Sequence, residues 1–163
     1  MNPFVSRLAL VTLIVALATG CGEKAADVKE TAQAALDGGD YPTAILEADK
    51  AIGLAGDDRP MVWQSQQIKL QAVAKKGDGA QAVALLEQLA GEYSAQVKSP
   101  LYMSVAADLE AADQTSAAID VLDAGNKRFP DESEKFLAAI QELQSAGDMD
   151  PAEIEKLKAL GYL

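Results

Sequence analysis

Histidine does not occur in the 163 residues, and cysteine and tryptophan occur once each. Without an imidazole no Ser–His–Asp or Cys–His nucleophile system can be assembled, and a zinc site loses its commonest ligand. A single cysteine, Cys21, closes no intramolecular disulfide and builds no metal cluster. Aromatics make up only 5% of the chain, too few to suggest a sugar-stacking platform. Positive charge is scarce as well: 14 Lys and Arg stand against 25 Asp and Glu, a net charge of −11. The basic neighbours Lys75–Lys76 and Lys127–Arg128 fall at expected helix C-termini, where they complement the macrodipole. Nucleic acid needs a clustered basic surface, and it is excluded as a partner.

What the chain has instead is alanine and leucine among Glu, Lys and Gln, with few β-branched residues after the first twenty. These residue types favour helices, and small side chains allow helices to pack closely. The expected fold is all-α, in one domain long enough to bury a core.

The first 21 residues are different. Arg7 in "MNPFVSR" precedes an uncharged apolar run, Leu8 to Thr19, and then "GC". A transmembrane helix needs about 20 apolar residues, and this run is shorter. A positive start, a short apolar stretch and small residues before a cut site describe a secretory signal. Ala18-Thr19-Gly20-Cys21, with Leu17 one position further out than the usual Leu, resembles the lipobox of bacterial lipoproteins. The resemblance implies that residues 1–20 are cleaved and that Cys21, at the head of a short 21–23 tether, carries lipid. A single acyl chain holds a protein only marginally, at about 0.8 kcal/mol per buried methylene, so several make an anchor durable. Gly22 after the cysteine resembles the pattern sent to the outer membrane, facing the periplasm; inner-membrane residence is the other possibility.

The rest, 24–163, reads as a repeat. "DYPTAILEADKAIG", "DGAQAVALLEQLAG" and "DQTSAAIDVLDAG" align on Asp40, Asp78 and Asp113. Four residues after each aspartate stand Ala44, Ala82 and Ala117; eleven after stand Ala51, Leu89 and Ala124. Offsets of this kind share one helix face, so these six are the expected packing positions. Each Asp is a plausible N-cap, and a glycine follows closely at Gly53, Gly91 and Gly125. Every proline after the leader marks a helix start, and Asp131 with Glu134 and Asp150 with Glu153 have capping-box spacing. These signs place helices near 24–37, 41–54, 60–76, 79–93, 100–111, 114–128, 132–146 and 151–160. The expectation is an antiparallel helical-hairpin solenoid of about three hairpins plus a C-terminal capping pair, whose last helix carries Ile154, Leu157 and Leu160 on one side.

Gly39-Asp40-Tyr41 with Ala44 and Ala51 resembles the tetratricopeptide repeat, and Gly77-Asp78 with Ala82 matches it in part. The Trp, Leu-Gly and Tyr signature of that family's first helix is not legible here. The resemblance implies a concave groove lined by the first helix of each hairpin, with Trp63, Gln66, Gln67, Lys69 and Tyr102 as partner-binding candidates. Trp63 has a second reading, as a filler between alanines on a helix that is apolar on two sides.

No site chemistry stands out otherwise. "DMDPAE", Asp148 to Glu153, lacks calcium-loop spacing, "KKGDGA" lacks the Lys-Ser/Thr of a phosphate loop, and Asp120 and Asp123 read as solvated carboxylates. The expected protein is therefore not an enzyme and takes no cofactor, metal or small-molecule substrate. It is a membrane-anchored periplasmic lipoprotein that scaffolds an envelope protein or peptide. The alternatives are an assembly factor for a pilus, secretin or outer-membrane-protein insertion machine, by analogy with lipoproteins of this repeat, and, more remotely, a carboxylate-dependent cell-wall hydrolase.

Overall fold

A computed structural model describes residues 23–146 and 149–163; Cys21 and the expected signal, residues 1–20, lie outside them. Among the described residues there are eight α-helices and no strand: α1 (Ala25–Asp37), α2 (Tyr41–Ala55), α3 (Arg59–Lys75), α4 (Gly79–Glu92), α5 (Ser99–Ala111), α6 (Thr115–Arg128), α7 (Ser133–Ser145) and α8 (Pro151–Leu160). Every expected helix is present with its ends within one residue. None of the described helices is long and apolar enough to cross a membrane.

The starts follow from capping chemistry. Asp40, Asp58 and Asp78 each accept a hydrogen bond from the amide three residues on, that of Thr43, Met61 and Gln81. Asp150 and Glu153 make the full reciprocal box, at 2.8 and 2.9 Å. The expected box at Asp131 does not form. Asp131 lies in a 3-10 turn, Pro130–Glu132, and α7 begins only at Ser133. There the neighbouring Glu132 is taken by other donors: the Ser99 hydroxyl at 2.6 Å and the Lys135 ammonium at 2.7 Å.

Sequential helices from α1 to α7 pack against one another, whereas α8 adjoins α6 rather than pairing with α7 as expected. The odd-numbered helices α1, α3 and α5 adjoin in one layer, while α4, α6 and α8 adjoin in the other. The arrangement is a helical-hairpin repeat. Its core has two parts. One is small-residue packing among α1, α2 and α3: Ala32, Leu36, Ala44, Ala48, Ile68 and Ala72. The other runs from α3 to α8 through larger side chains, among them Leu70, Leu86, Leu109, Leu122, Phe136 and Leu157. As expected from its two apolar sides, α3 contributes to both.

The third repeat is shifted by one residue from its expected alignment. Gly39 and Gly77 hold left-handed backbone, φ 78° and 83°, just before the caps Asp40 and Asp78. In the third repeat Asp113 itself takes that left-handed position, φ 59°, as a short polar side chain can. The Gln114 amide then bonds back to the Leu109 carbonyl at 2.8 Å, and Gln114 replaces Asp113 as the residue before α6. Buried packing positions move along with it, to Ala118, Leu122 and Gly125, and Ala117 and Ala124 are only half-buried. The other four, Ala44, Ala51, Ala82 and Leu89, are fully buried as expected.

Gly53, Gly91 and Gly125 lie inside α2, α4 and α6 rather than ending them. Gly125 is required by contact: a Cβ there would overlap the Phe136 ring from α7. The last helix runs along α6. Its Lys156 donates to the Ser116 carbonyl and the Asp120 carboxylate at 3.0 and 2.7 Å. Of its expected stripe, Leu157 is buried and Leu160 half-buried, while Ile154 is exposed.

Two stability measurements check this packing. Gly125→Ala should cost about 1–3 kcal/mol through overlap with Phe136, whereas Gly53→Ala, with open space at its Cβ, should gain up to about 1 kcal/mol in chemical denaturation. Asp113→Gly should raise stability by up to about 1 kcal/mol in the same assay, because it relieves a left-handed non-glycine residue.

Candidate functional site

The helix α3 carries Gln64, Gln67, Ile68 and Gln71 at i, i+3, i+4 and i+7, a single face. That face is turned toward α1, which presents Lys29, Glu30 and Gln33. Between them is an open groove of about 370 Å³. The Lys29 ammonium donates to the Gln64 side-chain carbonyl at 2.8 Å and so spans the groove. Gln33 donates to Asp37 on its own helix at 2.8 Å. Each amide side chain offers donors and an acceptor without net charge, so the lining suits a polar, hydrogen-bonding ligand.

Of the five expected groove residues, only Gln67 lies here. Trp63 points instead toward α4 and packs against Tyr93, ring centres 5.1 Å apart and tilted by 35°. Arg59 completes that cluster, its guanidinium 5.4 Å from the Tyr93 ring centre and donating to the Glu92 carbonyl at 3.4 Å. Trp63 therefore joins the start of α3 to the end of α4, which is its space-filling reading. Gln66, one turn along from Trp63, is half-buried and its side-chain carbonyl meets no hydrogen-bond partner. Lys69 turns to α2 and pairs with Asp49 at 2.7 Å.

Tyr102 is the plain error. Expected on the exposed groove, it is 3% exposed and meets Phe129 edge-on at 5.7 Å. Burial pushes its phenol above the ordinary value. Tyr102 belongs to the larger core between α3 and α8, where its ring packs among leucines and phenylalanines.

The carboxylates weighed for hydrolysis are taken up elsewhere. Asp123 is buried and accepts from Lys127 at 2.6 Å and from the Tyr162 hydroxyl at 3.0 Å. Asp120 is held by Lys156. Tyr162 also accepts from the Asn126 amide at 3.1 Å, and burial is the main cause that raises its pKa. These bonds tie the C-terminus to α6. Among the described residues no group of three or more His, Cys, Asp or Glu is placed to hold a metal ion.

Sequence reasoning missed Lys29, Glu30, Gln33, Gln64, Ile68 and Gln71. A signal for two of them was present in "QSQQIKLQ", where Gln64 and Gln71 stand at helical spacing from the expected Gln67. No family model, curated protein or solved structure matches the chain.

The two halves of α3 should respond differently to truncation. Trp63→Ala should lower stability by about 2–4 kcal/mol, and Gln67→Ala should change it by less than about 0.5 kcal/mol, read from urea unfolding followed by circular dichroism.

Proposed function

We propose that the protein is a bacterial lipoprotein, anchored through lipid on Cys21 at the periplasmic face of the outer membrane, whose helical repeats present the α1–α3 groove to an envelope protein or peptide. The observation that carries this reading is the groove's lining. Gln64, Gln67 and Gln71 line one strip of the first-helix layer, Gln64 exposed and the other two half-buried. Such a row can exchange hydrogen bonds with an extended peptide backbone, which is neutral and rich in both donors and acceptors. The resemblance to tetratricopeptide repeats points to the same layer as the binding face.

The anchor supports the reading through distance. About three residues separate Cys21 from α1, and at roughly 3.5 Å each they reach little more than 10 Å. The domain then lies against the bilayer, and a partner bound to it is concentrated at the membrane surface.

Crosslinking in cells followed by affinity capture tests the proposal. Replacing Gln64, Gln67 and Gln71 together by alanine should reduce recovery of the crosslinked partner by about tenfold or more, with the thermal midpoint unchanged. Equal recovery from the triple variant refutes the groove. Membrane fractionation of Cys21→Ser tests the anchor separately: the variant should leave the membrane fraction.

A further inference from the structure

The outer surface of α2 exposes two large apolar side chains, as the C-terminal end does with Ile154 and Leu163. Its exposed positions are Pro42, Leu46, Asp49, Lys50, Gly53 and Leu54. Leu46 and Leu54 are 65% and 47% exposed, with Lys50 one turn from each. The charges on this face are largely paired, with Glu47 lying 3.8 Å from Lys50 as a second carboxylate on the same lysine. Asp49 is held by Lys69 at 2.7 Å, and Lys50 by Glu23 at 2.6 Å. The equivalent surface of α4 instead exposes Gln81, Glu87, Gln88 and Glu92. A protein of net charge −11 thus has, on α2, a face with two exposed leucines and little net charge.

The Lys50 bridge also says where the chain enters. Glu23 is fixed over the middle of this face, between Leu46 and Leu54 in the helical sequence, and a single residue, Gly22, separates it from Cys21. We infer that the α2 face formed by Pro42, Leu46, Gly53 and Leu54 rests on the lipid surface into which Cys21 is anchored. The inference rests on lipidation of Cys21 and adds to it the orientation of the domain. Acidic surface is repelled by anionic headgroups, so a tethered domain turns its neutral side to the bilayer and its charged sides to water. Two leucines form too small a patch to bind membrane alone; they select which side a tethered domain presents. With α2 on the membrane, the α1–α3 groove lies in the other helix layer and stays open to a partner.

The test exploits the lone cysteine. Once lipid occupies the Cys21 sulfur, a new cysteine is the sole free thiol. Full-length lipidated protein with Gly53→Cys or Glu87→Cys is labelled with a small fluorophore and placed in phosphatidylethanolamine–phosphatidylglycerol vesicles that carry a spin-labelled quenching lipid. Quenching at position 53 should exceed that at 87 by about threefold or more, and Leu46→Glu with Leu54→Glu should erase the difference. Equal quenching at 53 and 87, in protein whose lipid is verified by mass, overturns the orientation and leaves the lipoprotein reading standing. An unmodified Cys21 on protein that remains soluble overturns both. A dimer in sedimentation that Leu46→Glu and Leu54→Glu dissolve assigns the face to a second copy of the chain and overturns the inference.

Discussion

The structure depends on α3 being buried from two sides. Ile68 and Ala72 complete the small-residue layer with α1 and α2, while Leu70, Val73 and Ala74 belong to the larger core that continues to α8. Repeat proteins need such shared helices, because one hairpin cannot cover its own apolar surface. The arc of α3 that faces α1 obliquely is only partly covered, and it carries the glutamines. The groove is therefore a by-product of how α3 is clamped: two sides fixed by packing, one strip left free to vary.

The helices were legible in the sequence because their boundaries are set by local chemistry. An aspartate followed by proline, as at Asp58 and Asp150, positions a helix start through hydrogen bonds to the next few amides, whatever the helix later packs against. The third repeat misled for the same local reason. Asp113 looks like Asp40 and Asp78, yet it stands in the left-handed place of Gly39 and Gly77. Aspartate suits both roles, and only the backbone conformation tells them apart. One residue of slip turned Ala118 and Gly125 into Ala117 and Ala124.

Groove residues were less legible because orientation around a helix depends on partners distant in sequence. Trp63 and Gln67 are four residues apart, yet Trp63 meets Tyr93 and Gln67 turns toward α1. Helical spacing alone puts them near one another. Which neighbour claims each depends on the crossing of α1 and α4 over α3. Tyr102 shows the same limit: a tyrosine suits a surface or a core equally, and its contact with Phe129, distant in sequence, decided for the core.

The division of the core also gives the molecule a mechanical order. Tension entering at Glu23 reaches α1 first, and α1 is held by alanines together with Val28 and Leu36. The leucines and Phe136 of the farther core lie beyond α3 and bear load only after that. Alanine contacts bury little area each, so the first hairpin is held by many close helix approaches and the remainder by fewer, bulkier side chains. A load at Glu23 thus meets a layer of small side chains before it reaches the packing around α6.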